Sequence, residues 1–95
     1  MERKTGNLRR REEFAGPPEL ARFFRGDRLD VVPRRANDRA AVLSFIAGRF
    51  ERSREYPEDE VNSVLLSAYD DVAMLRRYLV DAGLLTRANG RYRRP

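Results

Sequence analysis

The side chains able to do chemistry in this 95-residue chain are carboxylates, hydroxyls and basic groups, for it contains no His, Cys or Trp. That absence removes imidazole bases, thiolate nucleophiles, disulfides and every zinc site built on nitrogen or sulfur ligands. Acidic pairs such as Asp70-Asp71 could support acid-base catalysis only if an apolar pocket set their pKa values apart. They stand instead where helices are expected to begin, and there they complement the positive end of a helix dipole. The same spread along helix starts argues against a hard-metal site, which needs several oxygens converging on one point. No catalytic residue, cofactor, metal or small-molecule substrate is therefore expected.

What remains is arginine. The chain carries 20 basic against 15 acidic residues, a net charge of +5, and every basic residue but Lys4 is Arg. The sequence pI of about 10.4 favours contact with polyanions. Arginine forks suit phosphates and guanine edges, although a coding bias that substitutes Arg for Lys throughout is the simpler source of the excess. Placement is more informative than number. Arg34, Arg35 and Arg39 form one cluster, Arg76 and Arg77 are adjacent, and Arg87, Arg91, Arg93 and Arg94 fall within the last twelve residues without an acid among them. Between these groups, residues 55 to 71 hold Glu55, Glu58, Asp59, Glu60, Asp70 and Asp71 and no base. An acidic stretch of that kind opposes phosphate binding beside it.

The elements that must position these groups follow from apolar spacing. Residues 1 to 16 have only Leu8 and Phe14 as large apolar groups and read as a flexible basic tail, with one domain over 17 to 95. After Gly16-Pro17-Pro18, Leu20, Phe23 and Phe24 share the face of a short helix. A brief strand is expected over Leu29 to Val32, ended by Pro33. Asn37 or Asp38 can cap a helix running to about Phe50, with Val42, Leu43, Ile46 and Phe50 on its stripe. Another begins at Pro57 and presents Val61, Val64, Leu65 and Ala68. The next spans about 71 to 82, with Val72, Leu75, Leu79 and Ala82 inward and Gly83 as its stop. Its far face carries Ala73, Arg77 and Asp81, with Met74 and Arg76 at the borders.

Two helices joined by so short a turn make a helix-turn-helix. Leu84 to Ala88 and Arg91 to Arg94 then flank Asn89-Gly90, a type I′ hairpin signal that pairs Thr86 with Arg93, Arg87 with Tyr92 and Ala88 with Arg91. Such a hairpin is a wing. The predicted fold is mainly α with a small β-hairpin, a winged helix-turn-helix of about four helices.

Three segments carry a family resemblance: Phe23-Phe24 followed by Arg28-Leu29-Asp30-Val31-Val32-Pro33, then Tyr56-Pro57-Glu58-Asp59-Glu60-Val61-Asn62, then Asp71 through Arg87. Together they resemble the bacterial domain-of-unknown-function family twenty eighty-seven over about residues 20 to 94. The resemblance implies a domain found alone or fused behind transcriptional regulators, with no assigned activity.

The function expected is that of a DNA-binding transcriptional regulator, with 71 to 82 as recognition helix and 84 to 94 as wing. Arg76 and Arg77 would reach base edges or phosphates of double-stranded DNA, the wing arginines Arg87, Arg91 and Arg93 would enter a minor groove or clamp phosphates, and Arg34, Arg35 and Arg39 would add a second basic cluster for its binding. The alternative is a non-catalytic protein-interaction module whose acidic turn docks a basic partner, with Met74, Leu66 and Tyr78 available for a protein or homodimer contact. No apolar run approaches the ~20 residues of a membrane helix and the start lacks a signal peptide's apolar stretch, so a cytoplasmic protein without a membrane partner is expected.

Overall fold

The computed structural model describes residues 14–95. A 3-10 helix, Pro18–Phe23, opens it, followed by a two-residue ladder of β1 (Phe24–Arg25) and β2 (Arg28–Leu29). Then come α1 (Ala36–Ala47), β3 (Glu55–Pro57), α2 (Glu58–Leu66), α3 (Val72–Asp81), β4 (Thr86–Ala88) and β5 (Arg91–Arg93). The last three strands form an antiparallel sheet in the order β3-β5-β4. The described residues form a mixed α+β domain with four helices and a C-terminal hairpin, in an order compatible with a winged-helix-like fold.

Helices form where apolar periodicity is cleanest. On α3, Leu75 and Leu79 are fully buried, four residues apart on one face. They meet Val61, Leu65 and Ala68 from α2 and its turn, and Val42, Leu43 and Ile46 from α1, in one core that Phe50, Tyr56, Leu85 and Tyr92 close from the sheet side. Burial on this scale stabilises by about 1.5–3 kcal/mol for each large apolar side chain. Ala82 departs from the expected pattern. It lies at the C-cap and is exposed, because the helix ends at Asp81 and the chain turns away.

The wing forms in the expected register, with Thr86 opposite Arg93, Arg87 opposite Tyr92 and Ala88 opposite Arg91. Asn89 and Gly90 take φ of 54° and 74°, the paired positive values of a type I′ turn. The third strand was not expected. β3 pairs Tyr56 with Tyr92 and Glu55 with Arg93, so the hairpin is anchored to the body of the domain rather than projecting alone.

Several boundaries also differ. The strand expected over Leu29 to Val32 is confined to Arg28–Leu29, its Asp30 N–H donating back to the Phe23 carbonyl at 2.7 Å, and Val31 is exposed. Neither Asn37 nor Asp38 caps α1, which starts at Ala36 with Arg35 as N-cap and no side-chain cap. The Asp38 carboxylate accepts instead from the Arg22 guanidinium at 3.4 Å. The end at Ala47 also falls three residues short of Phe50, whose N–H bonds Ala47 in a closing turn.

The expected tail, 1 to 16, lies outside the described residues as far as residue 13. Phe14 lies within them, and its ring stacks on Phe24 at 4.6 Å and meets Phe45 at 5.3 Å. Chain entry is tight here. A Cβ on Gly16 would approach the rings of Phe14 and Phe45 to 2.5 and 2.6 Å, so only glycine fits without displacing them. Phe14→Ala should therefore destabilise the domain by about 1 to 2 kcal/mol, the sum of a partly buried ring and its aromatic contacts. Thermal melting checks this, and an unchanged midpoint would mean that the ring contributes nothing in solution.

Candidate nucleic-acid interface

Two helices joined by a short turn set the surface. α2 packs chiefly on α3, and the link between them is held by backbone bonds from Ala68 and Tyr69 to the Leu65 carbonyl and from Leu29 to Ala68. Asp71 caps α3, its Oδ1 accepting the Met74 N–H at 3.1 Å. That carboxylate also complements the helix dipole. Ala73, Arg77 and Asp81 are exposed on α3, as the 100° step predicts.

The eight arginines expected to bind fall into two groups. Arg34, Arg35, Arg77 and Arg91 are exposed, and their guanidinium groups have no hydrogen-bond or ion-pair partner among the described residues. The other four are engaged. Arg76, only 21% exposed, donates to Asn62 Oδ1 and lies 4.0 Å from Glu58 Oε2. Arg39 donates to the carbonyls of Pro33 and Arg34 and stands over the Tyr78 ring at 5.8 Å. Arg87 lies 4.0 Å from Glu58 Oε1 and 5.7 Å from the Tyr92 ring, and Arg93 reaches Glu55 at 3.5 Å. Arg94 turns inward to the Phe50 carbonyl at 3.1 Å.

The acidic stretch acquires a different meaning. Glu55 meets Arg93, Glu58 meets Arg76 and Arg87, Glu60 meets Arg54 at 2.6 Å and Asp70 meets Arg28 at 2.6 Å. With Asp71 spent on its cap, only Asp59 of the six has no partner among the described residues. These pairs are mostly solvent-exposed and each is worth about 0–1 kcal/mol, so their effect is local neutralisation more than stability.

Strand alternation divides the wing. Thr86, Ala88, Arg91 and Arg93 share the outer face with Glu55, around a shallow depression of about 280 Å³. Arg87 and Tyr92 share the inner face with Tyr56, toward α2. Tyr92 is 2% exposed, and its hydroxyl donates to Glu58 Oε1 at 2.8 Å. Burial, then the bond to that carboxylate, holds its phenol above the ordinary value of 10.0. The sign follows from linkage. A folded value above the unfolded one gives stability that is whole below about pH 10 and is lost as pH rises through the folded value. Tyr92→Phe should flatten this alkaline loss while costing about 1 kcal/mol at neutral pH; urea melts across an alkaline pH series read both.

Sequence reasoning missed Glu58, Asn62 and Tyr92 as organisers of this surface. The cross-strand pairing of Arg87 with Tyr92 was the one available signal. Arg25-Gly26-Asp27, which spells an adhesion tripeptide, runs from the end of β1 into the Gly26-Asp27 turn of the β1-β2 ladder, and Arg49 donates to the Asp27 carbonyl at 2.6 Å.

Fold and surface together define a small mixed α+β domain, compatible with a winged-helix-like fold, that bears arginines on a helix and on its C-terminal hairpin. The chain belongs to the DUF2087 family of uncharacterized proteins conserved in bacteria, whose model matches residues 28–94. No curated protein and no solved structure matches it. No helix among the described residues is long and apolar enough to cross a membrane.

Proposed function

We propose that this domain is a non-catalytic DNA-binding regulator that lays α3 in the major groove and sets its wing on the backbone. One observation carries the reading. Arg77 on the outer face of α3 and Arg91 at the wing turn, with Arg34 and Arg35 ahead of α1, are the arginines whose side chains have no protein partner among the described residues. Free guanidinium groups on a helix and an adjoining hairpin are what groove reading and phosphate clamping require. The acids once expected to repel phosphate are mostly matched by Arg28, Arg54, Arg76, Arg87 and Arg93.

A protein-docking role for the acidic stretch has correspondingly less free charge to offer. Fluorescence anisotropy with duplex DNA over about 50 to 200 mM salt separates the readings. Regulator function requires binding whose log affinity falls with log salt by about 0.9 per phosphate neutralised, together with a preference among genomic fragments. Absence of any preference would remove the regulator reading and favour the interaction module.

A further inference from the structure

We propose that Glu58 is a positioning residue of this surface, a single carboxylate that ties the wing and α3 to the start of α2 and competes with a bound polyanion for Arg87. The inference rests on the nucleic-acid reading above. Glu58 begins α2, yet its contacts all lead elsewhere. Oε1 accepts the Tyr92 hydroxyl from β5 at 2.8 Å and faces Arg87 of β4 at 4.0 Å, while Oε2 faces Arg76 of α3 at 4.0 Å. The carboxylate therefore touches both strands of the wing and the recognition helix at once.

Its two cations are not equivalent. Arg76 is 21% exposed and also held by Asn62, so it stays with the protein. Arg87 is 59% exposed and meets Glu58 only across 4.0 Å, without a hydrogen bond. An incoming phosphate can offer Arg87 shorter, charge-assisted bonds than the carboxylate does. Glu58 thus withholds one wing cation from weak or diffuse polyanions and yields it to a phosphate placed against β4. The neighbouring acids do not share the task, because Glu60 is taken by Arg54 and Asp59 has no partner among the described residues.

Glu58→Gln tests this, since the amide oxygen still accepts from Tyr92 while the charge is gone. A labelled duplex of mixed sequence is the probe, read by anisotropy across a salt series. Glu58→Gln should bind several-fold more tightly than wild type at low salt and steepen the log-log salt slope by up to about one unit, as one more phosphate contact would. The gain should vanish when Arg87→Ala is added. Asp59→Asn removes the same charge from the same turn and should give a clearly smaller gain.

Equal gains from Glu58→Gln and Asp59→Asn, or a gain that survives Arg87→Ala, would overturn the proposal by showing only a change in net charge. If Glu58→Gln fails to fold by circular dichroism, Glu58→Asp keeps the charge and shortens the reach by one methylene. It should release Arg87 in the same direction, and unchanged binding by that variant would count against the proposal. Should wild type bind no duplex at all, the regulator reading falls, and the tie is judged on the free protein. There the Tyr92 phenol, followed by NMR, should titrate lower in Glu58→Gln than in wild type, and an unmoved titration would overturn the tie as well.

Discussion

On the regulator reading, Arg77→Ala is expected to lower affinity for a preferred duplex by about 1 to 3 kcal/mol, roughly ten- to more than a hundredfold, and to weaken binding to random DNA far less. Arg77 stands on the outer face of α3 with no competing partner among the described residues, so its fork is available for a bidentate contact with a guanine edge. Arg91→Ala should behave differently. Its position beside the Asn89-Gly90 turn suits phosphate, and its loss should weaken both DNAs alike while flattening the salt slope by up to about one unit. A fragment selected from genomic DNA and a scrambled control, titrated with both variants, provide the comparison. Equal losses from Arg77→Ala and Arg91→Ala on both duplexes would mean that α3 adds charge without reading sequence.

The largest effect on stability is expected from Leu79→Ala. Leu79 is 0% exposed and lies with Leu75 where α3 meets the core. Its truncation should cost about 2 to 5 kcal/mol, a large part of the roughly 5 to 15 kcal/mol that holds a domain folded. The urea midpoint should fall with little change in slope, since the surface exposed on unfolding is almost the same. Ala82→Ser is the companion measurement. Exposed beyond the end of the helix, it should shift stability by no more than about 0.5 kcal/mol, whereas an inward Ala82 would cost more.

Local chemistry made some elements readable and left others invisible. α3 was legible because Val72, Leu75 and Leu79 repeat at helical spacing, and the wing because Asn89-Gly90 specifies both turn and register. β3 escaped because it is three residues long, contains one large apolar side chain and ends on Pro57, a residue that cannot donate to a ladder. Tyr56 becomes a strand residue only through its partner Tyr92, 36 positions on. The site divides along the same line. Exposed Arg77 and Arg91 follow from periodicity and turn type, while the capture of Arg76 and Arg87 by Glu58 depends on packing that brings α2, α3 and the hairpin together. Asp38 shows the converse. Its cap-forming side chain was read locally, yet its carboxylate lies against Arg22 from sixteen residues earlier.

The strand order has a consequence for how the molecule comes into being. β5 is the central strand of the β3-β5-β4 sheet and also the last of its three strands in chain order. On a ribosome, β3 is made early and must wait for residues 91–93 before its backbone finds a partner, while Tyr56 has no cross-strand neighbour. The helices can form locally in that interval, but closing the sheet demands a long loop and therefore comes late. A nascent chain stalled inside the wing would display an unsatisfied strand edge beside exposed aromatic surface, the kind of intermediate that chaperones bind and proteases cut. The sheet is thus completed in a single late step rather than by degrees.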